Sequence, residues 1–525
     1  MRYLTAIISC VAFLFVYTAA YATMERPPLT DMSPAAASVT SAAAIPATSP
    51  AATDYSLPEL GIAGGVALPL WKAHFMGQQI YHLIQGESGV MNDPLVENYI
   101  NHLGHRLSSV AQGPDEPYHY FVVMAPDINA FALPGAFVGV NYGLILATRS
   151  EDELAGVMAH ETAHVAQRHI ARQLADASYN DLINIAILLG GVTAAIINPS
   201  IAVGALMGAQ GGIAQRGLNY TRAHEMEADR VGILILSRAR FNPMGMVDFF
   251  KYMERNYSLQ GYEIPEFLSS HPLDITRIAE AEIRAKNLHP HVLPENPNYA
   301  LMRARIRVLT SNDLADTLNW FKGDRSDNSN PWYRKADLYG MALCYNRLDS
   351  GNKGLALIRP LAKAHPNNIA IQIALAESLL AAGKKNAGMN ALAQDYNLFP
   401  GNRPVVMTYA RALYNAGDAK KTVQILRPYM DPSNHVINPA LYNLLANAAN
   451  KTGNRILALR AMANVYELQA DYESSIIQLR LALRDKNLTA MQKQQIEQQK
   501  DTVTKEHKRA KKMGLVDSNS QQALP

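Results

Sequence analysis

The chain has 525 residues, with 48 Lys and Arg against 45 Asp and Glu, a net charge of +3, and 48% hydrophobic residues. That length exceeds a single hydrophobic core and predicts two domains. The small, spread charge and the lack of a basic stripe with interleaved aromatics give no support to nucleic-acid binding.

The predicted elements begin with a signal. Met1-Arg2-Tyr3-Leu4 opens a run that stays apolar to Ala20 and exits through the small-x-small pattern Ala20-Tyr21-Ala22. One positive charge, an apolar stretch and this exit predict a cleaved secretory signal peptide over 1–22. Ile7-Ile8-Ser9-Cys10 resembles a lipobox, but a lipobox closes the apolar run and here the run continues past Cys10. Without residues 1–22 only Cys344 is left, so no internal disulfide is expected and cysteine usage does not decide the redox compartment. Residues 23–57, rich in Pro, Ala, Ser and Thr, read as a disordered spacer.

Residues 151–164 carry the first chemistry. Glu151-Asp152-Glu153 makes an acidic first turn, and apolar residues follow at helical spacing into His160-Glu161-Thr162-Ala163-His164. Two histidines four apart on a helix lie about 40° from each other around its axis, so both imidazoles can hold one Zn²⁺. Glu161 sits on the flank, where a carboxylate can take a proton from a metal-activated water. A zinc site needs a third ligand. His169, five residues beyond His164, would be rotated about 140° off the ligand face of a continuous helix and reads as a surface or second-face residue.

Residues 182–212 carry no charge and are broken by Asn198-Pro199. Neither arm reaches the roughly 20 residues that a bilayer crossing needs. A helical hairpin packed on the core of the zinc-site domain, with peripheral membrane contact, is the expectation; true insertion and a flap over the cleft are the alternatives. Beyond it, Tyr220–Gly232 reads as a second helix, with Glu225 and Asp229 four apart on one face. One carboxylate can bind the metal while the other accepts the free N–H of a ligand histidine. Glu227, about 200° from Glu225, should face elsewhere.

H-E-x-x-H followed by E-x-x-A-D-x-x-G resembles the gluzincin metallopeptidases related to the CaaX prenyl protease and HtpX. Ile128-Asn129-Ala130-Phe131-Ala132-Leu133-Pro134-Gly135 strengthens the match, although Ala136 stands where a second glycine is usual. In that family a similar segment leads into an edge strand beside the cleft, and residues 136–146 fit that strand; such an edge can pair with an extended substrate. Ser269-Ser270-His271-Pro272 is similar to a segment of the BepA-like periplasmic members. The resemblance makes His271 a further zinc ligand that holds the enzyme closed and gives Arg277 to the oxyanion. A plain loop histidine before a helix-starting proline is the alternative.

After a connector over 291–329, Pro366 and Pro400 lie 34 apart, as do Gly383 and Gly417, and Gly453 follows at 36. Small residues such as Ala374, Ala376, Ala410 and Ala412 fall between them, and Ala470-Asp471-Tyr472 reads as one more interhelical turn. This is the arithmetic of tetratricopeptide repeats, with an ordinary helical bundle as the alternative. The basic residues Lys500, Lys505, Lys508, Arg509, Lys511 and Lys512 read as a solvated helix end.

The expected architecture is an α+β zincin-like metalloprotease domain over 58–290, then an all-α tetratricopeptide-repeat solenoid over 330–512 and a disordered tail over 513–525. The resemblance to the BepA-like proteins covers this whole order. It implies a periplasmic zinc endopeptidase, possessed of one Zn²⁺ and no organic cofactor, that degrades stalled outer-membrane proteins and contacts the barrel-assembly machinery through its repeats. His160, His164 and Glu225 would hold the metal, Glu161 act as general base and acid, and Asp229 orient a ligand histidine. The alternatives are an assembly chaperone or scaffold with proteolysis minor or gated by His271, and a membrane-embedded protease of the HtpX kind.

Overall fold

Asp93 starts the helix that carries the sheet: its carboxylate accepts the main-chain N–H groups of Leu95 and Val96, and Pro94 needs no partner at the first helical position. The computed structural model describes residues 68–87, 89–113, 116–174, 222–257, 265–323, 330–434, 437–513 and 515. The expected signal peptide, spacer and apolar insert, and nearly all of the tail, lie outside these residues.

Helices α1 (Leu70–Gly86) and α2 (Pro94–Ser108) precede strands β1 (His119–Val123), β2 (Ala130–Leu133) and β3 (Phe137–Asn141). The sheet order is β1-β3-β2, with β1 parallel to β3 and β2 antiparallel to it. The strand after Ala136 is therefore central, and β1 and β2 are the edge strands, β1 bridged at Val123 to Val90. The expected extent of β3 is also corrected: Tyr142–Ala147 forms α3, and within it Gly143 packs so close that a Cβ there would come 1.9 Å from the Pro126 carbonyl oxygen. Periodicity alone cannot separate strand from buried helix in such an apolar run.

Next come α4 (Glu151–Ala166), α5 (His169–Leu174), α6 (Arg222–Arg238), α7 (Met244–Tyr257), α8 (Glu266–Ser270) and α9 (Ile275–Lys286). The connector is helical, with α10 (Pro297–Leu309) and α11 (Leu314–Lys322). Arg305 of α10 forks onto Asp93 at 2.8–2.9 Å, a buried pair that ties the connector to the cap of α2. One apolar core runs from Met91 through α4, α6 and α7 into the helices beyond the connector, as far as Val405.

All regular structure described past 330 is helical. Five hairpins follow: α12–α13 (Pro331–Arg347, Gly351–Ala364), α14–α15 (Ile369–Ala381, Lys385–Leu398), α16–α17 (Arg403–Asn415, Ala419–Leu426), α18–α19 (Pro439–Lys451, Arg455–Glu467) and α20–α21 (Tyr472–Leu483, Ala490–Lys512). The inner turns of the first four use a left-handed residue, Asp349, Gly383, Gly417 and Gly453, with φ between 52° and 93°, and Ala470, φ 58°, takes the same conformation between the fourth and fifth hairpins. This is the turn that the spaced glycines announce.

The last hairpin returns to α1. Tyr472 donates to Gln79 Oε1 at 2.5 Å, and Arg509 lies over the rings of Trp71 and Phe75. Lys511 approaches Glu473 at 3.5 Å. The basic end of α21 is thus partly engaged rather than wholly solvated.

Candidate metal centre

Ser150 caps α4 by accepting the Glu153 N–H, and the acidic first turn complements the dipole, as the sequence predicts. The helix is buried through its whole catalytic turn, so His160, Glu161 and His164 face the interior. Helix α6 brings Glu225 and Asp229 to them. A Cβ on Gly232 would stand 3.2 Å from the main chain at Ala159 and His160, so a residue without one lets the two helices close.

His160, His164, Glu225 and His271 each turn one donor atom to a common point. His160 Nε2 lies 3.0 Å from His164 Nε2, 3.3 Å from His271 Nδ1 and 3.4 Å from Glu225 Oε2. Glu225 Oε1 lies 3.0 Å from His271 Nδ1 and 3.5 Å from His164 Nε2. Four ligands at the usual zinc bond lengths stand about 3.3–3.4 Å apart along the edges of a tetrahedron. The spacing and the neutral-imidazole and carboxylate donors therefore fit a zinc-like cation.

Charge supports the same reading. Burial opposes a charge on His160, but Asp229 and Glu225 outweigh it and hold the imidazole up to about 10. Burial, then the neighbouring His160, pushes His164 well below the usual range. Burial would raise Glu225, yet His271 and His160 hold it well below the usual carboxylate range. The two carboxylates that hold a proton on His160 would favour a cation in its place, and binding a metal there would release that proton.

Behind the donors, Asp229 Oδ1 is 3.0 Å from His160 Nδ1, so the histidine it faces is His160. Arg277, fully buried, donates from Nε and Nη2 to Asp229 at 2.8 Å, and from Nη1 to the Pro272 carbonyl at 2.7 Å, with Glu225 Oε2 at 3.0 Å. Glu161 is buried beside the cluster, its Oε1 3.4 Å from His271 Nε2, and burial pushes its carboxyl up. His271 is neither a plain loop residue nor exposed; it stands at the fourth corner.

Of the two placements expected for His169, surface or second face, the first is overturned. His169 is not on the surface: it is fully buried, with Nδ1 2.8 Å from His164 Nδ1. The rotation argument assumed a continuous helix, whereas α4 stops at Ala166 and Arg168 takes a left-handed φ of 53°. The new helix brings His169 back to the rear of His164. Glu227 does face away from the donor cluster, towards His169.

A model of peptidase family M48 matches residues 94–285. The chain is 31% identical over 422 residues to a putative beta-barrel assembly-enhancing protease of Vibrio cholerae, a match covering 80% of this chain and 86% of that one. It is 32% identical over 447 residues to the beta-barrel assembly-enhancing protease of Escherichia coli, covering 83% and 89%. A mitochondrial metalloendopeptidase of Schizosaccharomyces pombe is 29% identical over 216 residues, covering 39% of this chain and 59% of its own.

Proposed function

The chain belongs to peptidase family M48, and from that membership and the four-donor cluster we propose that it is a zinc endopeptidase of the bacterial envelope, acting on misassembled outer-membrane barrel proteins. The observation that carries the metal reading is the convergence of one donor atom each from His160, His164, Glu225 and His271 to within 4.8 Å of one another. Zinc, when bound, supplies Lewis acidity to the scissile carbonyl and acidifies water. Glu161, buried on the flank, takes the proton of the attacking water and returns it to the leaving amine. Asp229 fixes the tautomer of His160. Arg277 serves by holding Asp229 and Glu225, to which its guanidinium is already committed, rather than by meeting an oxyanion. The free edge of β2 offers main-chain groups to an extended peptide.

In this reading residues 1–22 direct export to the periplasm, 58–290 form the peptidase and 330–512 a tetratricopeptide solenoid that selects barrel proteins and their assembly machinery. The repeated hairpins with left-handed inner turns support that assignment. No helix of the described residues is long and apolar enough to cross a membrane.

A second reading, an assembly factor whose proteolysis is held in check, is favoured by His271 at the fourth corner, the position open water needs. One experiment addresses both: zinc content and cleavage of an unfolded protein such as casein, for wild type and His271→Ala. One zinc per chain, chelator-sensitive cleavage and faster cleavage by His271→Ala are expected. Cleavage that persists in metal-free protein would defeat the proposal; a zinc-loaded wild type that stays inert while His271→Ala cleaves would favour the second reading.

A further inference from the structure

Behind the four donors, the structure holds a second arrangement, buried at His164 and His169 and reaching the surface at Arg172, that the peptidase reading does not use. His164 directs Nε2 into the donor cluster and Nδ1 out of its rear, where His169 Nδ1 lies 2.8 Å away. His169 Nε2 lies 3.2 Å from Glu227 Oε2, and the same oxygen accepts from Arg172 Nη1 at 2.8 Å. The His169 ring is further fixed by stacking on His224, with centroids 4.5 Å apart and planes at 19°.

Proton positions in this row follow from one condition. Two ring nitrogens at 2.8 Å need one proton between them. If His164 Nε2 gives its lone pair to a metal, the neutral ring carries its proton on Nδ1, which donates to His169 Nδ1. His169 must then carry its proton on Nε2, which donates to Glu227, and Arg172 holds that carboxylate in place. Every bond in the row has a single direction. The arrangement parallels the other ligand histidine, where His160 Nδ1 meets Asp229 and Arg277 holds Asp229. Both rows run from a metal-facing imidazole to a carboxylate gripped by an arginine.

We infer that His169 is a positioning residue for the metal, fixing the tautomer and ring plane of His164, with Glu227 and Arg172 fixing His169 in turn. The inference rests on the reading of His160, His164 and Glu225 as zinc ligands. Partners of this kind are worth about 10- to 100-fold in metal affinity. A packing role alone would change folding stability and leave affinity where it was.

The test is zinc affinity by competition with a chromogenic chelator, with thermal unfolding of each metal-free protein measured alongside. Wild type, His164→Ala, His169→Phe, His169→Asn and Glu227→Gln are compared in the full chain. His169→Phe keeps a ring to stack on His224 but cannot accept the His164 proton, and should bind zinc about 10- to 100-fold more weakly. His169→Asn restores an acceptor near the Nδ1 position and should recover most of that loss. Glu227→Gln, at a part-exposed position, should lose affinity several-fold and covers the case in which His169→Phe does not fold. Zinc affinity of His169→Phe equal to wild type, of Glu227→Gln equal to wild type, or an Asn variant as weak as the Phe variant, would overturn the inference. If wild type binds zinc no tighter than His164→Ala, the ligand reading itself has failed and the inference falls with it; a tight wild type and a weak His164→Ala beside an unaffected His169→Phe would sink the inference alone.

Discussion

Asp229→Asn keeps the shape of the side chain and removes its charge, which makes it a sharp probe of the ligand support. The carboxylate now faces only donors: His160 Nδ1 at 3.0 Å, and Arg277 Nε and Nη2 at 2.8 Å each. An amide has one acceptor oxygen, so its NH₂ must confront either the imidazole N–H or the guanidinium. If the oxygen stays with Arg277, His160 loses its tautomer lock and zinc affinity should fall about 10- to 100-fold, or about 1.4–2.7 kcal/mol. Arg277 also loses its main counter-charge in a buried site. Breaking such a pair costs about 3–5 kcal/mol, and Glu225 Oε2 at 3.0 Å from Nη1 puts this case at about 3 kcal/mol. Chelator competition gives the first quantity and denaturant unfolding of metal-free protein gives the second. Zinc affinity within threefold of wild type, together with unchanged unfolding, would refute the assignment of Asp229 as the support of His160.

Other consequences are local to the fold. His82 is buried with both ring nitrogens lacking a hydrogen-bond partner among the described residues, and burial, then the nearby His119, pushes it down to about 3. The unfolded chain then binds more protons below pH 6.5, so stability drops as pH falls from about 6.5 towards 3, by about 2 kcal/mol at pH 5. His82→Phe should lose that increment between pH 7 and 5 in denaturant midpoints; an unaltered pH slope would contradict it. Gly135 has φ +70°, and a Cβ there would sit 2.1 Å from His74 Cα, so Gly135→Ala should destabilise by more than about 2 kcal/mol and loosen the turn before β3. Ala136, with φ 65°, should instead gain about 1 kcal/mol as glycine, read by thermal unfolding.

Much of the site was legible because its determinants are local. The four-residue spacing of His160 and His164 sets a shared face, and Glu225 and Asp229 repeat that spacing on a second helix. The spaced glycines Gly383, Gly417 and Gly453 marked the inner turns of three helical hairpins, since a left-handed φ favours glycine, while Asp349 in the first hairpin and Ala470 between the last two take that φ without one. What escaped depended on distant partners or on a break. His169 could not be placed because Arg168 adopts the left-handed region with a side chain that gives no signal of it. Arg277, given to the oxyanion by resemblance, has its partners on distant elements, Asp229 and Glu225, which α9 brings it to. The central place of β3 depends on its pairing with β1, which the strand's own pattern does not contain.

The most direct test of the peptidase assignment is casein digestion by wild type beside Glu161→Gln, with both preparations shown to hold equal zinc. Cleavage by wild type and loss of at least a hundredfold in the variant are expected, since Glu161 would act on the proton and not hold the metal. Equal cleavage by both proteins would contradict Glu161 as the base and with it the proposed chemistry.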